Sequence, residues 1–277
     1  DMVMVGTTDG EVIALGQGNG EVLWRSQLTG EVLAAPQTNG RVVAVQTYDG
    51  KLHGLNADDG EAQWQYDSNV PVLTLRGTSA PMFHEGVLIG GFGNGKLAAF
   101  DDNGTLRWET RVALAQGRSE IERLVDIDGN LMVIGSTVYA VSYQGKLSAV
   151  DIPSGRIMWQ QDASSYVGLD QGFGNIYVSD QQGALMAYYK SGQGLRWEQS
   201  LLERRVLSRP TALRSYVAVS DFEGYVHLIS QVDGHFVGRT RVDSSGVRAD
   251  MIAEGNMLYV FDNSGVLTAF RVASLGN

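Results

Sequence analysis

Gly90-Gly91-Phe92-Gly93-Asn94-Gly95-Lys96-Leu97 falls one residue short of a phosphate-cradling P-loop. Such a loop holds phosphate on backbone N–H groups and needs Ser or Thr after the lysine to bind magnesium. Leu97 stands in that place, and the residues after it read as a strand rather than a helix, which argues against nucleotide binding. Asp126-Ile127-Asp128-Gly129-Asn130 opens like a calcium loop, but Leu131 occupies the position that requires glycine and Thr137 replaces the bidentate glutamate. His53, His84, His227 and His235 are dispersed without ligand spacing, there is no cysteine, and no Gly-x-Ser-x-Gly elbow occurs. Asn103-Gly104-Thr105 has the form of a glycosylation sequon, but turn chemistry accounts for it. The expectation is a protein with no catalytic residues, no metal and no cofactor.

Binding chemistry is more promising. Residues 67–81 carry Leu73, Leu75 and Arg76, and residues 111–128 carry Asp126 and Asp128, with Glu120 and Arg123 as supporting residues. Apolar anchors flanked by arginine and acids suit a protein–protein contact, where arginine is a favoured hot-spot residue. The alternative is internal: Leu73 and Leu75 pack inward and Arg76 pairs with Asp126 or Asp128.

These segments stand out against a repeat. Trp24, Trp64, Trp108, Trp159 and Trp197 each close the phrase Gly-x-(Leu/Val)-x-(Ala/Gly) … Gly-x-x-x-Trp, or a close variant of it. The shared glycines are Gly10, Gly50, Gly95, Gly145, Gly183, Gly224 and Gly265. Their mean spacing of about 42 residues is that of a propeller or solenoid. Gly238 takes the tryptophan slot in the sixth copy. The second copy predicts four short strands, at Val32 to Ala35, Arg41 to Gln46, Lys51 to Leu55 and Glu61 to Tyr66, separated by Asn-Gly or Asp-Gly turns. A unit of this size cannot bury both faces alone, so neighbours must stack on it. Radial stacking gives an all-β propeller of four-stranded antiparallel blades, with each tryptophan docked on the next blade. Seven repeats are visible and the first lacks its innermost strand, so a single propeller domain over 1–277 is expected, N-terminally truncated and eight-bladed when intact. The intervals Gly50 to Gly95 and Gly95 to Gly145 are the longest. Their extra residues follow the tryptophan strand, so both insertions should emerge side by side on one face.

Composition agrees. Thirty-five glycines against five prolines fit an all-β meander rich in tight turns. A net charge of −10 argues against nucleic acid and against adsorption to anionic lipid. No apolar run approaches the roughly 20 residues of a membrane span, and no signal peptide is visible.

The repeat phrase is similar to the tryptophan-docking repeat of pyrroloquinoline-quinone dehydrogenases. More specifically, Leu73 to Pro81, Ser119 to Asp128, Asp221 to His227 and Val242 to Gly246 resemble the BamB family of bacterial outer-membrane β-barrel assembly. The resemblance implies a non-catalytic periplasmic subunit, tethered to the outer membrane by a lipidated N-terminal cysteine absent from this chain. It implies docking on the POTRA domains of BamA through Leu73, Leu75, Arg76, Asp126 and Asp128, as one monomeric subunit of a hetero-oligomer, with unfolded outer-membrane proteins as clients. The rival reading is a quinone-dependent dehydrogenase. It would need a calcium-binding acid constellation and usually vicinal cysteines, neither of which is present.

Overall fold

A computed structural model of the chain describes residues 2–71 and 73–273. Among these, seven antiparallel sheets follow one another in chain order, each a blade of propeller type. Blades 2 to 6 (residues 37–67, 82–111, 132–163, 169–199 and 211–241) have four strands, while blades 1 (2–27) and 7 (252–271) have three. They fall into two compact units, Asp1–Tyr166 with blades 1 to 4 and Val167–Asn277 with blades 5 to 7.

Blade 2 shows how the sequence builds each unit. Val42–Gln46 and Lys51–Asn56 pair through the turn at Gly50, whose φ of 82° is left-handed. Only glycine takes that conformation without cost. At the corresponding turn of blade 4 the left-handed residue is Gln144, with φ 46°, one place before Gly145. The first strand is Gln37–Thr38 rather than the expected Val32 to Ala35. Pro36 offers no N–H to a ladder, and Val32 is instead buried against the first two blades. Pro81 and Pro210 likewise stand immediately before the first strands Met82–His84 and Thr211–Leu213.

Second strands such as Val42–Gln46, Val87–Gly91 and Asn175–Ser179 are buried throughout, whereas fourth strands such as Ala62–Asp67 are largely exposed. The apolar cores lie between blades. One cluster joins Val12, Val43 and Leu55, another Ile89, Ile127 and Val150, and in the second unit a third joins Leu185, Ala187 and Val219.

The tryptophans bridge these cores. Trp24 Nε1 donates to Ala57 O at 2.9 Å, Trp64 to Asp102 O at 3.1 Å, Trp108 to Ile152 O at 2.6 Å and Trp197 to Gln231 O at 3.2 Å. Each acceptor begins the turn between the third and fourth strands of the next blade. A glycine in that turn receives the ring: Cβ atoms on Gly60, Gly104, Gly155 and Gly234 would sit 2.4 to 2.6 Å from Trp24, Trp64, Trp108 and Trp197. Trp159 lies against Tyr139 of its own blade, ring centroids 5.9 Å apart.

The register explains the empty sixth slot. Each tryptophan faces a small residue on the third strand: Ala14, Gly54, Ala99, Ala149 or Ala187. A bulge follows that position every time. Gly238 faces Leu228, with the same bulge after it. The large and small partners have exchanged strands, and Leu228 packs into the core between blades 6 and 7. Gly238 itself is exposed and a Cβ there would meet nothing within 4 Å, so Gly238→Ala is expected to shift stability by less than about 1 kcal/mol. Leu228→Ala, which withdraws a side chain packed against that core, should by contrast cost about 2 kcal/mol or more, as read from urea denaturation of the two variants.

Candidate functional site

In each blade the turn between second and third strands shares a face with the crossover from the fourth strand to the next blade. The two long crossovers, residues 68–81 and 112–131, meet on this face of the first unit. Leu124, Val125 and Ile127 are buried and anchor the second crossover in the core, and Ile127 belongs to the cluster between blades 3 and 4. Between them Asp126 turns its carboxylate away from solvent, at 0% exposure. Asp126 Oδ2 accepts the backbone N–H of Leu75, stapling one crossover to the other. Asp126 O accepts the Tyr143 N–H at 2.8 Å, which fixes the turn of blade 4 beside them. Gly77 approaches so closely that a Cβ there would lie 3.0 Å from Asp128 Cγ.

The side chains anticipated for this site divide by role. Leu73 is 42% exposed, and Leu75 and Asp128 are half-buried on a concave pocket of about 530 Å³ that Leu33, Arg76, Tyr143 and Tyr166 also line. Asp126 is inaccessible and acts through the loop it holds. The alternative internal pairing of Arg76 with Asp126 or Asp128 does not form among the described residues. Arg76 Nη2 instead donates to Glu31 Oε2 at 3.1 Å, on the crossover between blades 1 and 2. Glu31 was not legible as a site residue, because 45 positions of chain separate it from Arg76. The pair is exposed, so it contributes at most about 1 kcal/mol and leaves Arg76 able to turn to a partner.

Glu120 and Arg123 border a short 3-10 turn, Ile121–Arg123, away from the pocket lining. Arg123 Nε donates to Gly117 O at 3.2 Å. Glu122, between them, does the local structural job: its Oε2 accepts the Arg118 and Ser119 N–H groups while Ser119 Oγ accepts the Glu122 N–H. That reciprocal arrangement is the capping box, and Ser119-x-x-Glu122 is its sequence signature. Tyr143 also had a signal. It sits two residues before the shared glycine, as do Tyr48 and Phe222 in their repeats.

Electrostatically the site is an uncompensated acidic pair. Burial pushes the Asp126 carboxyl up to about 6, against the pull of the Leu75 N–H. Burial and then the Asp126 charge push Asp128 up to about 8. A carboxyl raised on folding adds stability that is fully present below its unfolded value and lost as pH rises through its folded one. The pair should therefore cost stability progressively from about pH 4 to pH 8. Asp128→Asn is expected to raise stability at pH 9 by about 1–2 kcal/mol. In that variant the decline should end near pH 6, which denaturation at a series of pH values would show.

The second unit holds a different ionic cluster. Asp221, fully buried, is pushed up by burial but held below the ordinary carboxylate range by hydrogen bonds from His227, the Tyr225 N–H and Arg205. The His227 Nε2 to Asp221 Oδ2 distance is 2.9 Å and the Arg205 Nη1 to Asp221 Oδ2 distance is 2.7 Å. Phe222 N–H bonds Arg205 O at 3.1 Å, so the cluster ties a crossover to its blade turn. Among the described residues no group of three His, Asp or Glu could hold a metal ion, and no helix is long and apolar enough to cross a membrane.

Tryptophan-docked blades with two stapled crossovers define a β-propeller of the tryptophan-docking type. A sequence model of the family "Outer membrane protein assembly factor BamB" matches residues 1–199. The chain is 52% identical over 207 residues to the protein of that name from Pseudomonas aeruginosa, covering 74% of this chain and 54% of the relative. It is 36% identical over 200 residues to the Escherichia coli protein, covering 72% and 51%. The chain spans about half the length of these curated relatives. The crystal structure of BamB from Moraxella catarrhalis superposes with a TM-score of 0.93 at 30% identity, covering 98% of this chain and 82% of that one. The yeast protein Sqt1, at 17% identity and TM-score 0.76, shares the fold alone. The chain belongs to the BamB family of outer-membrane protein assembly factors. These relatives carry the name of assembly factors, not of enzymes.

Proposed function

We propose that this chain is a non-catalytic scaffold of outer-membrane β-barrel assembly, working at the periplasmic face of the outer membrane. Its crossover face docks on the POTRA domains of BamA. The observation that carries this reading is the staple from Asp126 to the Leu75 N–H. It holds Leu75 and Arg76 in place beside Asp128 before any partner arrives. A loop ordered in advance loses little conformational entropy on binding, which removes one of the costs of association. Leu73, exposed on the same loop, supplies the apolar anchor and Arg76 the charged one. The remaining blades act as the rigid mount.

Affinity purification of the full-length protein from detergent-solubilised outer membranes is expected to recover BamA with it. Recovery of folded, membrane-associated protein without BamA would overturn the proposal.

A further inference from the structure

The pocket beside the stapled loop has a composition that specifies its occupant. Its lining brings together the apolar Leu33 and Leu75, the aromatic Tyr143 and Tyr166, and the acidic Asp128. Among the described residues Asp128 has no ion pair, and the nearby guanidinium that could have neutralised it, Arg76, is turned to Glu31. The two aromatic residues come from different segments at one end of blade 4. Tyr143 is held by its N–H bond to Asp126 O, and Tyr166 stands on the crossover after blade 4. Apolar side chains, aromatic rings and a carboxyl that no cation of the chain pairs with together fit a long side chain with a planar cationic tip, whose approach would draw that carboxyl into its ionised form. Guanidinium meets a carboxylate through two parallel hydrogen bonds and stacks on aromatic rings, which an ammonium does less well.

We propose that an arginine of the docking partner enters this pocket and pairs with Asp128, its stem along Leu33 and Leu75 and its guanidinium against Tyr143 and Tyr166. The inference rests on the docking reading above and adds the chemistry of the partner. It also separates the two aspartates. Asp126 positions the loop from inside, and Asp128 touches the partner. Arg76 then reads as a second, outward contact rather than the counter-ion of the acidic pair. The chain's net charge of −10 favours encounter with a basic surface in the same sense.

The test is a charge exchange, with the POTRA fragment of BamA as the probe and the full-length protein as receptor, measured by calorimetric titration. Asp128→Asn keeps the shape and should weaken binding by about tenfold or more, and Asp128→Arg by about a hundredfold or more. Each arginine of the fragment is then exchanged for glutamate in turn. One of these variants should bind the Asp128→Arg protein to within about threefold of the wild-type pair while binding the wild-type protein poorly. A residue that merely stiffened the loop could not be rescued by a change in the partner. If no arginine exchange rescues, or if Asp128→Asn binds like wild type, the inference is overturned. The docking reading would survive that outcome provided the Leu73, Leu75 and Arg76 substitutions still abolish binding, and would fail with it if they do not.

Discussion

Trp24→Ala is expected to destabilise the first unit by about 3–5 kcal/mol, the range for deleting a buried tryptophan. The ring is 7% exposed and belongs to the core between blades 1 and 2. It rests on Gly60, where a Cβ would come within 2.5 Å, and donates to Ala57 O at 2.9 Å. Alanine would empty the ring's volume and leave that carbonyl without its donor. Trp24→Phe separates the two losses. It keeps most of the apolar area and forfeits the N–H bond, so its cost should fall to about 1–3 kcal/mol. Gly60→Ala approaches the same contact from the other side. The added methyl meets the ring and the residue's φ of 75° is unfavourable to alanine, so this variant should also lose stability. Urea denaturation of the three variants checks the order, with Trp24→Ala the weakest of them. A cost below about 1 kcal/mol for Trp24→Ala would mean that the blades do not rely on tryptophan docking.

The second large effect is on binding. Leu73→Ala, Leu75→Ala and Arg76→Ala combined should weaken capture of the POTRA fragment by about a hundredfold or more, since two apolar anchors and an arginine have the character of hot-spot residues. The same variant should keep its melting temperature within a few degrees. Leu73 is substantially exposed, Leu75 half-buried, and the Arg76–Glu31 pair is a surface ion pair of small worth. The backbone N–H of Leu75, which carries the staple to Asp126, survives the change to alanine. Loss of binding with retained stability is therefore the signature of direct contact. Asp126→Ala should behave differently: it frees the loop, and increased exchange of the amide hydrogens at residues 73–78 should accompany any loss of binding.

The repeat was legible because its causes are local. A left-handed turn selects glycine, a ring laid on a backbone selects glycine beneath it, and both recur at one spacing. The overlong crossovers were legible as departures from that spacing, and Leu75, Arg76 and Asp128 do line one pocket, with Leu73 exposed on the same loop. Partner choice within the site was not legible. Arg76 pairs with Glu31 rather than with the aspartates, because the crossover between blades 1 and 2 passes closer to it than the carboxylates that Leu75 and burial hold inward. The sequence distance concealed that neighbour. Gly238 looked like a missing tryptophan until the register placed Leu228 opposite, since a compensating change on the facing strand has no mark in a single repeat. Val32 to Ala35 read as a strand on composition alone, whereas Val32 serves as an apolar plug between blades.

The most direct measurement is hydrogen exchange on the full-length protein with and without the POTRA fragment. Bound fragment should slow exchange in residues 73–78, in the crossover ending at Asp128, and around Tyr143 and Tyr166. The tryptophan-receiving turns at residues 57–60, 102–104 and 152–155 should be unchanged. Protection confined to those turns, or binding without protection of residues 73–78, would contradict the assignment of docking to the crossover face.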